Sequence, residues 1–169
     1  MDFQVLALNV DEFSPLFGQD HETLSKQGVH RIVADNDAGF PCRVSLQDAK
    51  AGESVLLMNY EHQSMPSPFR SSHAIYVREG SVPAKPEKSE VPKMLRHRFL
   101  SVRAFDVAGM IIDADVIDGE DLESLIERMF ANESVDYLHV HNAKLGCYLA
   151  LVERASPSGR KRALIPHCS

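Results

Sequence analysis

One stretch of the chain carries a sustained helical stripe. Leu122, Leu125, Ile126, Met129 and Phe130 fall at i, i+3, i+4, i+7 and i+8, the spacing of a helix with one apolar face to bury. Asp118 stands where an N-cap is needed, and Glu120 and Asp121 suit the positive end of the helix dipole. The spacing therefore predicts a helix over 120–130 laid on a core. Most of the other apolar residues come in short runs closed by turn formers. Strands are expected at 3–8, 30–34, 40–46, 54–60, 74–79, 99–106 and 110–117, with a hairpin over 137–154. A turn or short helix is expected at 11–17, and Asp20 can cap a helix through Leu24 to Gln27 that stops at Gly28. Many short strands with two or three helices predict an α+β fold with a mostly antiparallel sheet.

Punctuation places the loops. Pro66 and Pro68 break the pattern after the 54–60 run, and 80–93 is rich in proline and charge, as a surface loop would be. Val107-Ala108-Gly109 joins two strands as a β-hairpin. On the second of them Met110, Ile112, Ala114 and Val116 share a face, with Asp113 and Asp115 on the other. The length of 169 residues fits one domain over 1–155. Residues 156–169, with Arg160-Lys161-Arg162, read as a polar tail.

Charge and cysteine content narrow the function. Formal net charge is −6, which suits a polyanion poorly and argues against nucleic acid as a partner. No apolar run approaches the roughly 20 residues needed to span a bilayer, so no membrane partner is expected. Three cysteines (Cys42, Cys147 and Cys168) with no CxxC pair build no disulfide framework. Met1-Asp2-Phe3 puts an acid where a secretion signal would carry a base. A reduced, cytoplasmic location is the expectation.

Several strings are specific enough to compare with known families. They are Gly-Phe-Pro-Cys-Arg-Val-Ser-Leu at 39–46, Gly52-Glu53, Leu56-Leu57, Tyr60-Glu61-His62 and Ser67-Pro-Phe-Arg-Ser-Ser72. Ile75-Tyr-Val-Arg-Glu79, Arg103-Ala-Phe-Asp106 and His139-Val-His-Asn-Ala143 with Gly146-Cys147 complete the set. Across nearly the whole chain this pattern resembles the bacterial family catalogued as domain of unknown function 1203. The resemblance implies a one-domain bacterial protein. It carries over no activity and no catalytic residue, so the chemistry has to be read from the residues themselves.

Reactive groups converge at the 137–154 hairpin. His139 and His141 lie on one face of a strand by the period of two. A five-residue connection, Asn142 to Gly146, would set Cys147 directly across from His141 and Leu149 across from His139. Cross-strand neighbours have Cβ atoms about 4.5–5.5 Å apart, close enough for an imidazole to take a thiol proton. A pairing shifted by one residue would turn Cys147 to the other face. Tyr60 and His62 also share a face, so His62 can bring a third imidazole, and Asn142 borders the same turn. Imidazoles with a cysteine are donors that zinc accepts, although HExxH and CxxC are both absent.

Two further features bear on ligands. In Pro41-Cys42-Arg43 an arginine beside a thiol can stabilise a thiolate, or the thiol can be plain core packing. Arg43, Arg70, Arg78, Arg98 and Arg103 all fall in or beside the specific strings, and guanidinium groups recognise carboxylate and phosphate bidentately. Arg43, Arg70, Arg78 and Arg103 are the expected anion-binding residues, with Asp113 and Asp115 left to a solvated sheet face. Three functions follow from the sequence. The first is an enzyme using Cys147, His141 and His139 on an anionic small molecule. The second is a binding module for such an anion or a metal ion, and the third is a structural or partner-binding domain. Dinucleotide, P-loop and serine-hydrolase motifs are missing.

Overall fold

Two five-stranded sheets organise the chain, each assembled from strands distant in sequence. The computed structural model describes residues 1–155, so the predicted tail at 156–169 lies outside the described residues. In chain order the strands are β1 (Phe3–Leu6), β2 (His30–Val33), β3 (Pro41–Cys42), β4 (Gln47–Asp48) and β5 (Ser54–Gln63). They continue with β6 (Ser71–Arg78), β7 (Phe99–Phe105), β8 (Ile111–Asp118), β9 (Tyr137–Asn142) and β10 (Tyr148–Arg154). The helices are α1 (His21–Lys26), α2 (Lys93–Arg96) and α3 (Leu122–Phe130). The first sheet runs β1-β10-β9-β7-β8 and is antiparallel throughout. The second runs β2-β5-β6-β3-β4, with one parallel contact, β3 to β6. The result is an α+β domain.

The predicted helical stripe does what its spacing demands. Leu122, Leu125, Ile126, Met129 and Phe130 are all buried, and with Met94 and Leu95 of α2 they pack on Leu100, Val102, Leu138, Val140, Leu149 and Val152. Helix α3 starts later than the predicted 120, because a 3₁₀ turn over Gly119–Asp121 precedes it and the Asp118 side chain accepts from the Glu120 N–H. In α1, Asp20 caps as predicted, accepting from Thr23 N at 2.8 Å. A second core, including Phe13, Leu24, Val44, Leu56, Met58, Ile75 and Val77, lies on the second sheet. With the helices on one face of the first sheet, strand alternation sends Arg103, Tyr137, His139 and His141 to its other face.

Some predicted elements changed. Of the extended run at 40–46 only Pro41 and Cys42 form a strand; the chain then turns tightly, with Leu46 N bonded to Cys42 O at 3.0 Å. The thiol sulfur accepts Ser45 N inside that turn, a local bond that competes with strand pairing. A short helix, α2, follows the predicted 80–93 loop, where Leu95 N closes on Pro92 O. Asp113 and Asp115 are engaged by Arg128 of α3 instead of facing solvent alone. On the opposite face Ile112 and Val116 stay exposed on β8, an edge strand, as does Met110 just before it. No helix among the described residues is long and apolar enough to cross a membrane.

Candidate metal centre

Strand β9 presents His139 and His141 on the face turned away from α3, and both are buried. The third imidazole comes from the other sheet. At the end of β5 the pairs Glu61–Ser72 and Gln63–Ser71 leave His62 as an extra residue, a β-bulge. A bulge bends its strand and re-aims a side chain, and here the re-aimed ring is His62. Its centroid lies 4.9 Å from that of His141 and 5.7 Å from that of His139. One nitrogen from each of the three rings falls within 4.8 Å of the other two. Tyr148 stacks on His62, with centroids 5.5 Å apart and planes 9° apart, forming a wall of the cluster. Gln63, also buried, donates to the Tyr137 hydroxyl at 2.7 Å and ties the two sheets together beside the cluster.

Cys147 is where the sequence reading fails. Tyr148, not Cys147, pairs with His141, and Leu151, not Leu149, pairs with His139. The turn explains the slip. Asn142 Oδ1 accepts Lys144 N and Leu145 N, and Asn142 N bonds to Cys147 O at 2.8 Å. The loop thereby shortens to four residues and Asn142 and Cys147 become its closing pair. Asn142 is thus a turn residue and no part of the imidazole cluster. A further bulge at Leu149 puts Leu149 and Ala150 in the helix-side core together. Cys147 stands outside the group of three histidines and faces a separate cavity with Arg43.

The proton bookkeeping of the cluster is readable from its hydrogen bonds. His141 Nδ1 lies 2.9 Å from the Gly146 carbonyl oxygen; a carbonyl only accepts, so Nδ1 carries the hydrogen and Nε2 keeps a lone pair. Gly146 holds φ at 78°, a left-handed turn conformation that suits glycine, and so aims that carbonyl. Ser71 donates its hydroxyl hydrogen to Phe69 O, so His62 Nε2 donates in the 3.5 Å contact with Ser71 Oγ. His62 Nδ1 is then the lone-pair nitrogen. Both lone-pair nitrogens, His141 Nε2 and His62 Nδ1, are buried and have no hydrogen-bond partner. Burial, and secondarily the Arg103 cation, hold His62 down to about 4 and His141 to about 3. At neutral pH the two rings are uncharged.

Arg103 pairs with His139 across β7 and β9, so it lies on the same face as the cluster. Burial lowers its pKa, and no carboxylate partners it among the described residues. Arg43 is buried within the fold. Arg70 and Arg78, expected to bind anions, are instead engaged by Glu61 and Glu53. Arg98 is held by Asp48 in a pair almost closed to solvent. Tyr60 packs against Phe13, away from the three imidazoles, and burial with Glu12 nearby pushes its hydroxyl up. Cys42 is sealed in the second core; burial pushes its thiol up, but hydrogen bonds from Ser45, Arg78 and Val44 outweigh this and bring it down. A sulfur so enclosed meets no substrate. Sequence reasoning missed Tyr148, Ser71, Gln63 and Tyr137. For Tyr137 and Tyr148 the one signal was position in the predicted 137–154 hairpin, which names a face only once register is known; Gln63 and Ser71 fall outside the predicted strands.

A family model described as Protein of unknown function (DUF1203) matches residues 39–154. The chain belongs to that family. The matched span holds all three imidazoles together with Arg43, Arg103 and Cys147, while β1, α1 and β2 precede it. No curated protein and no solved structure matches the chain.

Proposed function

We propose that the chain binds one divalent transition-metal ion, of zinc type by its donors, through His62, His139 and His141. The observation that carries this reading is that His62, His139 and His141 each bring a ring nitrogen within 4.8 Å of the other two, at a place where His141 Nε2 and His62 Nδ1 are buried and unpartnered. A buried acceptor left without a donor is costly, and a cation satisfies several at once. The other ring nitrogen of His141 donates to a backbone carbonyl, the outer contact that fixes tautomer and orientation in histidine metal ligands. Both rings are neutral at physiological pH, as ligation requires. Three atoms within 4.8 Å of one another lie at most about 2.8 Å from a common centre, against the ~2.0–2.1 Å of a zinc–nitrogen bond. Each ring needs to swing inward by less than an ångström.

Three protein ligands leave a coordination position open, which is the layout of a reactive zinc site more than of a structural one. An ion held by these three residues would supply Lewis acidity, the chemistry of hydration or hydrolysis of a small molecule. Cys147 closes the turn with Asn142 while Tyr148 pairs with His141, so the cross-strand His141 contact that a Cys–His nucleophile needs is missing. Metal binding is therefore better supported than thiol catalysis or a purely structural role.

The test is titration of metal-stripped full-length protein with Zn²⁺ by calorimetry and with Co²⁺ by visible absorption. One ion per chain and the absorption bands of low-coordinate cobalt are expected, both lost in His62→Ala and in His141→Ala. Absence of stoichiometric binding, or binding that survives both substitutions, overturns the reading.

A further inference from the structure

A cavity of about 430 Å³ lies beside the hairpin turn, lined by Arg43, Leu57, His73, Ala74, Tyr76 and Cys147, with Leu145 at its rim. None of the three clustered histidines lines it. Its unusual member is Arg43, whose side chain is only 2% exposed. The guanidinium donates from Nε to Tyr148 O at 2.7 Å and from Nη1 to Pro41 O at 2.5 Å. Both acceptors are neutral carbonyls. No ion pair to Arg43 is found among the described residues, whereas Arg31, Arg70, Arg78, Arg96, Arg98 and Arg128 each have a carboxylate.

Such a cation is out of balance with its surroundings. Taking a charge out of water is unfavourable unless an opposite charge meets it. Burial pulls the Arg43 pKa to about 10, which still leaves it protonated at neutral pH. The groups that act on its charge most strongly are the thiols Cys147 and Cys42, Arg98 and Tyr148, and among the described residues no carboxylate forms an ion pair with it. Two of its three nitrogens are spent on the backbone, which fixes the plane of the fork and leaves the Nη2 hydrogens for the cavity. Rigid, desolvated guanidinium groups are the preferred partners of carboxylates and phosphates. His73 and Tyr76 add polar atoms to the wall, and Leu57, Ala74 and Leu145 leave room for a small apolar body.

We propose that this cavity binds a small organic anion, a carboxylate on a short carbon skeleton, with Arg43 as its counter-ion and Cys147 beside it. The site is separate from the three histidines and does not depend on a metal. Cys147 makes it testable, because the sulfur lines the cavity and is not fully buried.

Iodoacetate and iodoacetamide differ in carrying a carboxylate or a neutral amide. Each alkylates a cysteine in the same way: the thiolate sulfur forms a bond to carbon, the carbon–iodine bond breaks and iodide leaves. Rates at Cys147 are measured on metal-stripped, chelator-free protein by mass spectrometry of the Cys147 peptide, and divided by those of free cysteine. Recruitment by Arg43 predicts an iodoacetate-to-iodoacetamide ratio several-fold above that of free cysteine. Excess acetate or propionate restores the free-cysteine ratio, and Arg43→Met does the same. A wild-type ratio equal to that of free cysteine, or one unaffected by the competing carboxylates, overturns the proposal. Because the competition arms use the unmodified protein, the outcome does not depend on whether Arg43→Met folds. Acceleration of both reagents alike would mean that Arg43 only activates the sulfur, which also overturns it.

Discussion

His141 and His62 show how one residue type can be written plainly and still be placed by the whole fold. Their folded-state pKa values, about 3 and about 4, lie below the 6.5 of an unperturbed histidine. The unfolded chain therefore takes up protons that the folded chain refuses, so stability is complete above pH ~6.5 and is lost as pH falls towards those values. His73, Arg103 and Glu61 are the neighbours that tune the two rings, while burial dominates. Urea midpoints of metal-free protein between pH 7 and pH 5 should fall, with His141 contributing up to about 1.4 kcal/mol per pH unit. His62, only partly buried, contributes less. His141→Gln should flatten the slope; an unchanged slope would mean that His141 titrates normally. The His-x-His spacing was legible because it is local. The sulfur's direction was not, since it hinged on whether Asn142 would bond the next two N–H groups and shorten the loop by one residue.

At the level of elements, periodicity was a reliable guide wherever one face had to be buried. The α3 stripe and the Asp20 cap are such cases, and both formed as expected. What escaped was anything decided by close contact between distant segments. Gly119 is one example: a Cβ there would sit 2.1 Å from Leu95 O and 2.7 Å from Arg96 O, both backbone atoms. The entry to α3 is thus wedged against the end of α2, a helix with too short a pattern to be read from sequence. Gly119→Ala should cost about 1–3 kcal/mol through overpacking, measured by chemical denaturation. A neutral effect would show that α2 moves aside. The bulge at His62 escaped for a related reason, because an extra residue becomes visible only against its partner strand.

For the molecule as a whole, the α+β class with mostly antiparallel pairing was readable, but its division into two sheets was not. Short strands state their period and not their partners, and β1 pairs with β10 from the far end of the described chain. The proposed ion would bridge that division, since its ligands come from both sheets. A ligand that binds only the folded state stabilises it by mass action, about 2.7 kcal/mol at a hundredfold excess over Kd. For a chain of this size that is a rise of roughly 5–10 °C in Tm, expected in calorimetry with Zn²⁺ and lost in His62→Ala. A metal that shifted both proteins equally would be acting elsewhere.

The distance along the chain between His62 and the β9 pair has a consequence for assembly. Two imidazoles on one strand can greet an ion early, but the third joins them only when the sheets have met. Loading of the proposed ion would thus be a late event in the life of each molecule, and tight occupancy would certify that the two halves have docked correctly.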